Sequence, residues 1–200
     1  MGLLSVLSLS HRWASERIAP GDTVIDATAG NGVDTLFLAK AVGPKGTVYA
    51  FDIQELALIN TRQRLEAAHI RGELEKSLPK LHLLLESHDR MKEAIPPHRH
   101  GLVSAVLFNL GFLPGPEADA SLITKPETTL AALEAALFLL RPGGLLSIVV
   151  YPGHEGGEAE AAAVEAWSTA LPQTAAHAAV YRMLQKPHAP YLIAVEKRVQ

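Results

Sequence analysis

The chain contains no cysteine. That absence excludes disulfides, thiolate nucleophiles and cysteine-bound metals together, and it fits a protein of the cytoplasm. Long polar low-complexity tracts are also missing, so no large region reads as disordered. No apolar stretch is long enough to cross a bilayer without meeting a charge or a proline, so no membrane partner is expected. The apolar start, Met1 to Trp13, has no basic segment and no clear small-residue cleavage site, and no secretory signal is expected. Val6 stands where a myristoylation signal would place Ser or Thr. Positive charge is not in excess either. A net charge of −3 and a pI near 6.3 count against a large nonspecific grip on nucleic acid, while leaving room for a small local RNA contact.

What is present is a globular balance, 48% hydrophobic and 20% charged over 200 residues. This is enough to bury one full core, so a single domain over 1–200 is expected, with residues 1–20 as a leading helix packed on it. Whether it works as a monomer or a homodimer stays open at this level. The spacing of Leu3, Leu4, Leu7, Trp13 and Ile18 predicts an amphipathic helix over 3–18, closed by Pro20-Gly21. Strands are predicted at 23–27, 46–51, 81–85, 102–108 and 145–151. Helices are predicted at 33–42, 55–70, 90–95, 126–140 and 158–170. Leu56, Ile59, Leu65 and Ala68 mark the expected inner face of the helix over 55–70. Residues 175–184 and 190–197 read as a closing antiparallel pair. The fold class is therefore α/β: a Rossmann-like, seven-stranded, mostly parallel sheet with an antiparallel last strand.

The chemistry is concentrated in residues 23–54. The strand Thr23-Val-Ile-Asp26 runs into Ala27-Thr-Ala-Gly30-Asn31-Gly32, a helix begins at Val33, and the next strand delivers Asp52, twenty positions after Gly32. A glycine turn between a parallel strand and a helix, with an acid closing the following strand, is the arrangement that holds a nucleoside cofactor. Asp34 in the first helical turn would repel a pyrophosphate, and Thr35 replaces the third glycine of the dinucleotide fingerprint. Both disfavour NAD and so a dehydrogenase. They favour a cofactor with a cationic centre and no phosphate, which S-adenosyl-L-methionine satisfies. The candidate cofactor contacts are Asp26, Ala27, Gly30, Asn31, Gly32, Asp34 and Thr35 on the turn, then Asp52, Ile53 and Gln54, and finally Ser87 and His88. Asp26 and Asp34 would sit near the cationic groups, Asp52 would accept from both ribose hydroxyls, and Ser87 and His88 would meet the adenine edge.

The reaction side is expected after the fourth strand. Asn109 is the candidate catalytic residue, because a side-chain oxygen can accept hydrogen bonds from an amine and align its lone pair. Leu110, Gly111 and Phe112 follow it, and Phe112 could stack on a base; the competing reading is a turn with Phe112 in the core. Tyr151 and His154 sit in a second glycine loop, where His154 is either a base or phosphate contact, or part of an ordinary helix-capping turn. Thr128 and Thr129 open a helix. His98-Arg-His100 lacks a third ligand and reads as a solvated loop, so no metal is expected. His11-Arg12, Lys186-Pro-His188 and Lys197-Arg198 read as solvated basic faces.

These motifs, Asp-Ala-Thr-Ala-Gly-Asn-Gly-Val-Asp-Thr, Phe51-Asp-Ile-Gln54, Ser-His-Asp, Asn109-Leu-Gly-Phe-Leu-Pro-Gly115, Thr128-Thr129 and Val150-Tyr-Pro-Gly-His-Glu-Gly-Gly157, span nearly the whole chain. Through them it resembles class I S-adenosylmethionine-dependent methyltransferases, and more closely the small bacterial family labelled "putative rRNA methylase" (the YtqB-like group). The resemblance implies N-methylation of the amine of 5-aminomethyl-2-thiouridine at the tRNA wobble position, with the anticodon stem-loop as partner. It assigns Asn31, Asp34, Asp52, Gln54, Ser87 and His88 to the cofactor, and Asn109 to Phe112, Tyr151 and His154 to the nucleoside. Methylation of rRNA or of a small amine, and a noncatalytic cofactor-binding partner protein, remain as alternatives.

Overall fold

The computed structural model describes residues 2–75, 77–119, 121–186 and 188–199. Its strands β1 (Thr23–Asp26), β2 (Thr47–Asp52), β3 (Lys80–Leu85), β4 (Val103–Asn109), β5 (Leu140–Val150), β6 (Ala176–Tyr181) and β7 (Tyr191–Lys197) form one sheet in the order β3-β2-β1-β4-β5-β7-β6. The first five are parallel, and β7 inserts antiparallel between β5 and β6. The strand order reverses between β1 and β4, and in open α/β sheets a ligand crevice forms at such a switch point.

Alternation along the central strands sends neighbouring side chains to opposite layers. Ile25, Phe108 and Leu146 join one buried cluster with Met91, Leu133 and Val164. Those partners come from α4 (Met91–Ala94), α5 (Pro126–Leu139) and α6 (Gly157–Ala170). Val24, Leu107 and Leu145 point the other way and pack with Ala14, Leu38 and Leu65, from α1 (Val6–Ser15), α2 (Val33–Val42) and α3 (Glu55–Ile70). Both faces of the sheet are thus covered, as near-continuous apolar strands require.

Several expectations change in detail. The first helix is shorter than 3–18. Ser5 caps it, its Oγ accepting from Ser8 N at 3.1 Å, and Leu3 and Leu4 lie outside it, exposed. Its buried face is made by small residues, Ser10 and Ala14, and Ser10 Oγ meets Ser147 Oγ of β5 at 2.7 Å. The helix over 55–70 has the predicted bounds, but its inner stripe is Ala57, Thr61, Leu65 and Ala68, while Ile59 faces out. Small side chains let α3 sit close to the cofactor turn, which the larger apolar residues would prevent. Strand β5 begins at Leu140, five residues early. Val103 pairs with Leu140 and Ala105 with Leu145, so Arg141–Gly144 bulges out of the ladder. The predicted Arg-Pro-Gly-Gly turn is there, but it is folded into the strand.

Candidate functional site

The cleft opens at the carboxyl ends of β1, β2, β4 and β5, where the structure has a cavity of about 750 Å³. One wall is the turn after β1. Its backbone continues the sheet briefly, Ala27 N donating to Leu107 O and Ala29 N to Phe51 O, each at 2.8 Å. The turn is thereby wedged between β4 and β2. Gly30 N then donates to Asp52 Oδ2 and Gln54 N to Asp52 Oδ1, each at 2.9 Å. Two backbone donors fix this carboxylate in place, and each oxygen keeps a lone pair for another donor. Burial raises the Asp52 pKa, against the lowering effect of the Gln54 and Gly30 N–H groups.

Asp26 does not line the cavity. It is fully buried behind the turn, where Oδ1 accepts from Thr28 N (3.1 Å) and Oδ2 from Thr35 Oγ1 (2.6 Å). Burial, then the nearby Asp34 charge, pushes its pKa up to about 7, against the Thr35 and Thr28 hydrogen bonds. Asp26 and Thr35 therefore brace the turn from inside. Gly32 is also off the cavity. Its φ is +75°, and a Cβ there would come within 2.7 Å of Thr61 Cα, so its task is close approach of the turn to α3. Of the expected cofactor contacts, these three lie behind the cavity wall. Ala27, Gly30, Asn31, Asp34, Asp52, Ile53, Gln54, Ser87 and His88 all line the cavity. His88 is buried with Nε2 unpartnered, and burial lowers its pKa.

The opposite wall is the segment after β4, fastened at three places. Asn109 N donates to Thr28 Oγ1 at 2.7 Å. Asn31 Nδ2 donates to Pro114 O at 3.0 Å, and its Oδ1 accepts from Asn60 at 2.9 Å. Gly111 N donates to Thr124 Oγ1 (2.8 Å), which donates on to the buried Glu160, as Thr129 Oγ1 does, each at 2.7 Å. Asn109 Nδ2 donates to Asp34 Oδ2 at 2.6 Å. Because a carboxylate oxygen accepts, the amide NH2 must face Asp34, and Asn109 Oδ1 is left without a partner. Leu110, Gly111, Phe112, Tyr151 and His154 line the same cavity. Phe112 is half-exposed, its ring edge-on to His154 with centroids 5.7 Å apart, so it does not belong to the core. His154 Nε2 is unpartnered. Burial, then the Asp34 charge, raises the Tyr151 pKa.

Residues 48–196 match the family described as "Putative rRNA methylase". The chain belongs to this family. The methylase likeness extends further: over 98% of its length the chain is 43% identical to an Arabidopsis thaliana protein named tRNA (mnm(5)s(2)U34)-methyltransferase, chloroplastic, of which it covers 71%. A crystal structure of the same description from Clostridium thermocellum superposes with a TM-score of 0.88 at 34% identity, covering 98% of this chain and 100% of that one. A Streptococcus mutans structure solved in complex with SAH gives 0.83 at 36%, covering 98% and 99%.

Two residues at or beside the cavity of this methylase-family chain were not visible as such in its sequence. His11, expected on a solvated face, reaches Asp34 Oδ1 with Nε2 at 2.6 Å, and His188 of the supposed basic cluster lines the cavity. Both arrive from elements far along the chain, where spacing carries no signal. Thr128 also lines the cavity, whereas Thr129 is buried against Glu160. His100 Nε2 bonds to Ile95 O at 2.8 Å, and no group of three or more His, Asp or Glu that could hold a metal occurs among the described residues. No helix among them is long and apolar enough to cross a membrane.

Proposed function

We propose that this methyltransferase uses S-adenosyl-L-methionine to methylate the amine of a 5-aminomethyl-2-thiouridine at the tRNA wobble position. The observation that carries the chemistry is the free Asn109 Oδ1, a buried acceptor whose amide partner is already held by Asp34. The choice of substrate is supported by the Arabidopsis relative, whose likeness runs through 98% of the chain, including both walls of the cavity.

The residues fit the cofactor on their own chemistry. Asp52 offers a carboxylate pinned by Gly30 and Gln54, which suits a pair of vicinal hydroxyls. His88 Nε2 is a buried polar atom in need of a partner, as a purine edge would supply. When bound between Asp52 and His88, the cofactor would supply an activated methyl group on a good leaving group, ready for transfer to a neutral amine.

The protein's part is to orient the acceptor and exclude water. Asn109 Oδ1 accepts an N–H of the amine and so directs the lone pair away from itself. Alignment of this kind accounts for much of the rate of a transfer whose leaving group is already good. The apolar lining, with Phe51, Leu110, Phe112 and Leu113 on the walls, favours the neutral amine over its ammonium, because desolvation penalises charge. Phe112 presents a ring face or edge to a planar base. An anticodon loop is single-stranded, so little unstacking is needed for the nucleoside to enter. A cytoplasmic site for the reaction accompanies this reading.

The test is methyl transfer by the purified protein to tRNA with and without the aminomethyl group, to rRNA, and to small amines. Labelling confined to aminomethylated tRNA is expected. Equal labelling of tRNA lacking the group, or labelling of rRNA or amines alone, would replace the reading with one of those substrates.

A further inference from the structure

The first helix, which precedes the whole cofactor motif, lines the cavity with Leu7 and, one turn on, sets His11 behind the cavity wall against Asp34. His11 Nε2 lies 2.6 Å from Asp34 Oδ1, and Asn109 Nδ2 lies 2.6 Å from the other oxygen, Oδ2. Asp34 is buried at 5% exposure, so water does little to hold it. The His11 ring lies flat on Phe37, with centroids 4.0 Å apart and planes 3° from parallel. The ring cannot swing without losing that stack. The carboxylate is therefore held from one side by a ring clamped between two residues, and it presents its second oxygen to Asn109.

We propose that His11 is a positioning residue for methyl transfer: through Asp34 it fixes the side-chain amide of Asn109 so that Oδ1 faces the acceptor amine. This rests on the reading given under Proposed function. A bare carboxylate on the first turn of α2 could rotate about its own side-chain bonds. Asn109 would follow it, because its amide has no other side-chain anchor among the described residues. With His11 donating from Nε2, both oxygens of Asp34 are engaged, so the carboxylate that orients the Asn109 amide is itself held in place. The histidine does not touch the substrate; it limits how far the group that does can move. Small misalignments of a reacting pair are costly, which is why a contact this remote matters.

His11→Phe keeps the stacking on Phe37 and removes the N–H, whereas His11→Gln restores a donor to Asp34. His11→Leu is the alternative should the larger ring disturb folding, judged by thermal melting. The expected result with aminomethylated tRNA is a kcat about ten- to a hundredfold lower in His11→Phe or His11→Leu, with KM for tRNA and Kd for S-adenosyl-L-methionine changed by no more than about threefold. His11→Gln should recover most of the lost kcat. Independently of activity, the Asn109 side-chain amide signals in nitrogen–proton NMR spectra should shift in the Phe or Leu variant and return in His11→Gln. Wild-type kcat in the donorless variants, equal loss in His11→Gln, or unmoved Asn109 signals would overturn the proposal. Wild-type protein that fails to methylate this tRNA would instead remove the substrate, and the NMR comparison would still decide the role of His11.

Discussion

Replacing Asp26 by Asn should make the protein more stable, and increasingly so as pH rises. Asp26 is fully buried, and its pKa stands at about 7 against an ordinary 3.8, chiefly from burial and then from Asp34. Each tenfold change in proton affinity is worth about 1.4 kcal/mol, so ionising this group in the folded state costs about 4 kcal/mol at pH values above 7. The sign follows from the direction of the shift. The folded protein holds the proton more tightly than the unfolded chain, so the contribution is most favourable below pH 3.8 and is lost progressively as pH climbs towards 7. Asn carries no such loss: its oxygen accepts from Thr28 N, and its NH2 donates to Thr35 Oγ1 once that hydroxyl, which donates to Asp26 Oδ2 in the structure, turns to accept. Between pH 5 and pH 8 the stability advantage of Asp26→Asn over wild type should widen by about 2–3 kcal/mol. For a chain of this size that is roughly 5–10 °C in Tm. Urea and thermal denaturation at a series of pH values measure it. A gap that stays constant with pH, or narrows as pH rises, would show that Asp26 is not a buried acid with a raised pKa.

Asp52→Ala should weaken S-adenosyl-L-methionine binding about ten- to a hundredfold in calorimetry, because it removes a charged acceptor from the cavity wall; undiminished affinity would place the ribose elsewhere. Gly32→Ala should destabilise by about 2–3 kcal/mol, since its Cβ would meet Thr61 Cα at 2.7 Å at a φ of +75°. Gly30→Ala, with φ +52° and nothing nearer than 3.7 Å, should cost only about 1 kcal/mol of left-handed strain, and a reversed ranking in thermal melts would refute the packing argument. Glu160→Ala leaves the Thr124 and Thr129 hydroxyls without their buried acceptor and should cost about 2–3 kcal/mol. Glu160→Gln should cost under about 1 kcal/mol by the same measurement, because an amide still offers one acceptor.

Much of this architecture can be read along the chain. The bounds of α2 and α3 are where the hydrophobic spacing and the Gly43-Pro44 stop put them, and the glycine turn with Asp52 lies where a strand–turn–helix–strand pattern must bring it. Such signals are local, carried by residues a few positions apart. The misjudged residues depend on what lies across the fold. Asp26 ends a strand beside the turn, as a ligand would; only the positions of Thr28 and Thr35 show that it is buried behind the turn and accepts from both. Gly32 is explained by Thr61, twenty-nine positions later. His11 is an unremarkable helix residue until Asp34 and Phe37 are placed beside it. Likewise the early start of β5 at Leu140 is invisible before Val103 is known to be its partner.

The segment after β4 is stitched to Thr28, to Asn31 and, through Thr124, to Glu160. A wall secured at both ends and in the middle is not a lid. This wall stands before a ligand arrives, and the entropy of ordering it is not lost each time one binds. Whatever selectivity this wall contributes lies in its standing shape, with Asn109, Leu110 and Phe112 already in place along it.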